Sequence, residues 1–142
     1  MQIFPFRLLT GTLTGCMRTF LDIVDGTRRV QRVDEDELHI AFLNPNPVRP
    51  GHTIVITRKV VDSVFDLDER EFGALMEFTR RTAVRLKLRL PCERVCLAAI
   101  GWQVRHAHVH LVPTNADGEF PPLPGAPASD AELAAIVARL RS

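Results

Sequence analysis

The run His106-Ala107-His108-Val109-His110, preceded by Gly101-Trp102-Gln103-Val104-Arg105 and followed by Leu111-Val112-Pro113, alternates imidazole and aliphatic side chains. Successive side chains of an extended backbone leave on opposite faces, so this alternation predicts a strand. At about 3.3 Å per residue, the three histidines share one face with Cα atoms roughly 6.6 Å apart. Ala107, Val109 and Leu111 share the other. That second face is apolar enough to pack on a helix or core, which turns the imidazoles toward a cleft or solvent. Any fold for this chain must therefore give the strand one covered face and one where titratable rings stand in register.

A lone strand histidine is ordinarily solvated and has no special role. Folding does not require three in register, and two chemistries want this spacing. A divalent metal needs neutral imidazole nitrogens converging to about 2.0–2.1 Å, which alternate strand positions supply. A transferred phosphoryl or nucleotidyl group needs one neutral imidazole as nucleophile, flanked by donors to its oxygens and the leaving group. The spacing leaves both open.

The remaining chain reads as α+β, with antiparallel strands, one dominant helix and no strand–helix alternation. Phe20 to Gly26 is a short helix stopped by glycine, and Thr27 to Val33 an edge strand. Asp34-Glu35-Asp36-Glu37 is the turn, too acidic to bury, and Leu38 to Leu43 completes a hairpin with His39 at the surface. Asn44 to Gly51, with three prolines in eight residues, is a stiff loop suited to holding ligand groups, and Thr53 to Thr57 the next strand. Asp68, Glu69 and Glu71 open a long helix with Phe72, Leu75, Met76, Ala83 and Leu86 on its inner face. Pro91 stops it, and Glu93 to Ile100 is a strand. Past a proline-rich connection, Ser129-Asp130-Ala131-Glu132 has capping-box form and starts a C-terminal helix, 129–141.

With 142 residues, 46% hydrophobic and 25% charged, the chain fits one soluble domain, taken as 16–142 behind an N-terminal extension, 1–15. Arg7 interrupts the apolar start, so no signal peptide is expected, and no run reaches the length of a membrane span. A net charge of +1 argues against a nucleic-acid surface. Arg80, Arg81, Arg85 and Arg89, spaced with Glu77, make a solvated helix face. Three cysteines, Cys16, Cys92 and Cys96, give no disulfide framework and fit a cytoplasmic protein.

Gly101 to Pro113 resembles the signature of the histidine triad (HIT) superfamily of nucleotide hydrolases and transferases, in which His-x-His-x-His closes a strand. Phe42-Leu43-Asn44-Pro45-Asn46-Pro47-Val48-Arg49-Pro50-Gly51-His52-Thr53-Ile54-Val55-Ile56 is similar to a second family stretch, which runs from a ribose-binding position through Gly-His into the next strand. The two lie in the correct order about fifty residues apart, which makes the pair far more specific than either alone.

The resemblance implies a five-stranded antiparallel sheet with one long and two short helices, and a two-fold homodimer joined through its sheets. It implies a nucleoside phosphoramidate or dinucleoside polyphosphate substrate, containing AMP or GMP, cleaved at its α-phosphorus. His108 would attack and form a nucleotidyl-imidazole. His110 would stabilise phosphate charge, while His106 and His52, hydrogen-bonded near each other, orient neighbouring groups or assist the leaving group. Phe20, Ile23 and Phe42 would border the nucleotide, with Gly101 and Gln103 near its phosphate. Asn44 stands where the family usually has an aspartate that accepts both ribose hydroxyls. Cys16 lacks the Cys-x-x-Cys partner of the zinc-bearing members, so neither metal nor cofactor is expected. The rival readings are a metal-dependent hydrolase or metal-binding protein using the three strand histidines, and a nucleotide-binding module with little catalysis.

Overall fold

A computed structural model describes residues 20–120 and 128–141. The expected extension 1–15, Cys16 and the proline-rich connection at 121–127 lie outside the described residues. Residues 20–24 are helical (α1), and then come β1 (Arg32–Glu35), β2 (His39–Leu43), β3 (Thr53–Thr57), a 3-10 turn (Val64–Asp66), α2 (Glu69–Arg89), β4 (Arg94–Ala98), β5 (His108–Thr114) and α3 (Asp130–Arg141). The strands form one antiparallel sheet in the order β1-β2-β3-β5-β4. This is the expected five-stranded α+β arrangement with one long and two short helices.

The two faces of β5 go where the alternation puts them. Val109 and Leu111 pack with Ala41 and Val55 against Leu75, Phe78 and Leu86 of α2. The helix starts in a capping box in which Asp68 Oδ1 accepts from the Glu71 N–H at 2.8 Å and Glu71 Oε2 from the Asp68 N–H at 3.2 Å. It stops at Leu90, before Pro91. On the opposite face Phe20, Ile23, Ile40, Phe42, Ile54 and Ile56 form a second cluster, so α1 covers part of the side that carries the histidines.

Several local expectations are corrected. The triad opens β5 instead of closing a strand, because residues 101–107 are bent and His106 precedes the ladder. The Ala107 N–H donates to the Val61 carbonyl at 2.6 Å, which draws the chain away from β4 there. β4 is correspondingly shorter than the expected Glu93 to Ile100.

β1 begins five residues late, because Asp25 Oδ1 accepts from the Thr27 N–H at 2.8 Å and the Arg28 N–H donates to the Asp22 carbonyl at 2.7 Å, which holds a loop past Gly26. Asp34 and Glu35 are strand residues and not turn. Arg81 and Arg85 of α2 reach Asp34 at 3.1 and 3.5 Å, so part of the arginine row clamps this strand.

His39 is buried, not at the surface. It shares the α2-facing side of β2 with Ala41, its ring lies 5.1 Å from that of Phe78, and its Nδ1 is 3.0 Å from Asp36 Oδ1.

Candidate functional site

A cavity of about 720 Å³ opens on the α1 side of the sheet. Phe20 and Ile23 of α1, Phe42 of β2, Asn44 and His52 at the ends of the stiff loop, Gly101 and Gln103 before β5, and His108 and His110 of β5 all line it. Every expected site residue except His106 is therefore brought to one place. Ile54, Val30, Trp102 and Phe120 also line it, and sequence reasoning passed over them. Period-two alternation in Thr53–Thr57 could have found Ile54, which shares a face with Ile56. Arg28 carries the only full charge among the described lining residues, and no carboxylate is among them. Such a lining suits an apolar ring joined to an anion.

Register builds the centre of the site. Across the β3–β5 ladder His110 lies opposite Ile54 and His108 opposite Ile56, while Val109 lies opposite Val55 on the α2 face. Directly opposed residues share a face, so the aliphatic neighbours wall the imidazoles on the cavity side. Phe20 meets the His108 ring edge-on, with centroids 5.2 Å apart at 81°.

Gly51 delivers His52. Its φ of +86° is left-handed backbone that glycine adopts freely, and an added Cβ would lie 2.5 Å from Leu90 Cδ1 and 3.0 Å from Pro113 Cγ. The loop closes through the His52 N–H to the Arg49 carbonyl at 3.0 Å and the Asn44 N–H to the His52 carbonyl at 2.8 Å.

Partners that can play only one role decide where the imidazole protons sit. A carbonyl only accepts, so His108 Nδ1, 2.6 Å from the His106 carbonyl, carries its proton and leaves the Nε2 lone pair free. A peptide N–H only donates, so His52 Nδ1, which accepts from the Val48 N–H at 3.2 Å, must be the bare nitrogen. The Asn44 amide nitrogen lies 3.2 Å from the same Nδ1, its orientation set by the Asn46 N–H donating to Asn44 Oδ1 at 3.0 Å. His52 Nε2 then donates to His110 Nδ1 at 2.9 Å. His110 is left with its proton on Nε2. Two rings in adjacent same-face positions thus present opposite chemistry, a lone pair at His108 and a donor at His110. The backbone donor at Val48 leaves no side-chain signal in a sequence.

His106 departs from expectation. Fully buried, it is not part of the cavity lining, and its Nε2 is 2.7 Å from the Thr57 carbonyl. Its contribution to the site is its own carbonyl, which orients His108. His52 bonds to His110 and not near His106, because β3 sets its first residues against Leu111 and His110 and only its far end against His108.

Burial holds these rings neutral. It pushes His52, His106 and His108 below the ordinary histidine value of 6.5. His110 falls to about 4, through burial first and then the nearness of His108 and His52. Among the described residues no group of three His, Cys, Asp or Glu side chains is placed to hold a metal ion. His52 uses both ring nitrogens within the chain, and His106 and His108 each give one to a carbonyl, so the rings do not present converging lone pairs.

The family model for the HIT domain matches residues 27–117. The chain belongs to the HIT domain family. A HIT-like protein of Mycoplasma genitalium, itself uncharacterised, is 33% identical to this HIT-domain protein over 114 residues, 77% of this chain and 79% of that one. The bis(5'-adenosyl)-triphosphatase of Dictyostelium discoideum is 30% identical over 82 residues, 54% of this chain and 55% of the enzyme. The crystal structure of a HIT family protein from Bacillus anthracis shares the fold, with a TM-score of 0.75 at 24% identity over 86% of this chain and 93% of that one. Among the described residues of the HIT-domain protein, no helix is long and apolar enough to cross a membrane.

Proposed function

We propose that this HIT-domain protein cleaves a nucleoside phosphoramidate or dinucleoside polyphosphate at its α-phosphorus through a nucleotidyl-His108 intermediate. One observation carries the reading: the His106 carbonyl, 2.6 Å from His108 Nδ1, leaves the Nε2 lone pair of a cavity-lining ring available for attack. In the first step Nε2 forms a bond to phosphorus, the bond to the leaving nitrogen or oxygen breaks with its electron pair, and the leaving group takes up a proton from solvent. In the second, water attacks the same phosphorus and gives up a proton to solvent, the P–N bond breaks with its electron pair returning to Nε2, and neutral His108 is restored with release of the nucleoside monophosphate. Dividing one displacement into two lowers each barrier. The His110 Nε2–H meets charge growing on the phosphoryl oxygens, and His52 holds it in that form.

Phe20, Ile23, Phe42 and Ile54 offer an apolar slot for a purine, with Gly101 and Gln103 toward the phosphate. The relatives support a nucleotide substrate: beside the Dictyostelium enzyme stands the asymmetrical bis(5'-nucleosyl)-tetraphosphatase of Schizosaccharomyces pombe, 33% identical over 88 residues and 45% of that protein's length. A two-fold partner would extend the sheet at the edge strand β4, where Leu97 is half exposed, which solution mass measurement tests. The function itself is tested by incubating the protein with adenylated and guanylated compounds, quenching, and locating the adduct by mass spectrometry. Nucleotidylated His108 is the expected product. Turnover with the adduct on any other residue, or with none, overturns the assignment.

A further inference from the structure

Trp102, the sole tryptophan, is 81% exposed and yet lines the cavity. An indole left in water forgoes a large burial energy, so its place at a cavity mouth calls for a ligand to cover it. Phe65 is equally exposed, but its ring stacks on Phe72, centroids 6.2 Å apart. Among the described residues Trp102 has no such ring contact. Ile100, 62% exposed on the same connection, extends the bare apolar surface.

Sheet order places this surface. Phe42 stands on β2, and β3 separates it from β5 with His108 and His110. On the other side of β5 lies β4, whose last residue, Ala98, is opposite His110. The connection that carries Ile100 and Trp102 leaves from that end. The histidines therefore stand between two apolar walls, one buried around Phe20 and Phe42, the other exposed around Trp102. A phosphorus at His108 with its base on the first wall directs its leaving group to the second.

We infer that Trp102 is a stacking platform for a second nucleobase, carried by the leaving group, and so selects dinucleoside polyphosphates over substrates that expel a small amine. This rests on the proposed reaction at His108. A base stacks on any aromatic face, so the platform recognises a purine without a hydrogen-bond code.

The experiment compares diadenosine triphosphate with adenosine 5'-phosphoramidate, which share the adenylyl half and differ in leaving group. Trp102→Ala should lower the ratio of their kcat/KM values about tenfold, and Trp102→Phe should restore most of it, because loss of one stacked base commonly costs that much. An unchanged ratio in Trp102→Ala overturns the inference, as does a leaving-group-independent loss. If neither compound is turned over by the wild type, the reaction at His108 is what has failed. Indole fluorescence then tests the platform separately: a non-hydrolysable diadenosine triphosphate analogue should quench Trp102 more strongly than AMP at saturation, and equal quenching, or none, overturns the platform.

Discussion

His52 Nε2 lies 2.9 Å from His110 Nδ1, although the two residues are 58 positions apart. The bond makes His52 a positioning residue: it acts on phosphate only through the ring it orients. His52→Ala should lower kcat about five- to thirtyfold, the range for one hydrogen bond lost inside a polar chain, with KM little changed. A KM effect without a kcat effect in steady-state assays would instead place His52 on the ligand.

His108→Ala should lose turnover by about a thousandfold or more, since no other ring in the site presents a free lone pair. AMP affinity, measured by calorimetry, should stay within a few-fold, because the apolar slot does not depend on that ring. Turnover that survives the substitution would end the nucleophile assignment.

Attack requires neutral His108, whose titration burial moves below 6.5. The acid limb of kcat should therefore fall below the ordinary histidine value, and a midpoint above 6.5 would show that the ring is not held neutral.

Stability should follow His110. Folded, it titrates at about 4 against an ordinary 6.5, so between those values the unfolded chain binds a proton that the folded chain does not. Stability is then complete above pH 6.5 and declines as pH falls toward 4. From pH 7 to pH 5 this one ring accounts for a loss of at most about 2 kcal/mol, reduced by solvent screening of the part-exposed imidazole. Urea midpoints at the two pH values, for the wild type and His110→Ala, measure it. An equal drop in both proteins would assign the effect elsewhere.

Gly51→Ala combines a left-handed backbone with a Cβ pressed on Leu90 and Pro113. It should cost about 1–3 kcal/mol and lower kcat by displacing His52, read from thermal melts and rates on the same preparation. A variant as stable and as active as the wild type would mean the loop does not fix His52.

EDTA should leave turnover unchanged, because only His108 turns a free lone pair to the cavity, and one such nitrogen does not hold an ion. Loss of activity on chelation, restored by a stoichiometric divalent ion, would favour the metal-dependent reading.

Much of this was legible in residues 101–113 and 42–56. The alternation of His108, Val109, His110 and Leu111 already divided site from core, because a strand's side-chain period is fixed by its backbone. Where β5 begins was not legible, since that depends on a main-chain hydrogen bond from the Ala107 N–H to the Val61 carbonyl that no pattern in residue types records. His39 was misjudged for a related reason. Its ring is covered by Phe78 and its nitrogen met by Asp36, and only the packing of α2 on β2 brings Phe78 there. The same limit hid the proton placements, which depend on main-chain groups at Val48 and His106.

That dependence has a consequence for how such a site can drift. Main-chain N–H and C=O groups persist through almost any substitution, so the division of labour between His108 and His110 does not hang on the identity of residues 48 or 106 as side chains. Inheritance can therefore rewrite the loop's composition while the two rings stay distinguishable, provided the loop keeps its path. Insertions or deletions between Asn44 and His52, more than point changes, are where this protein's lineage would lose its chemistry.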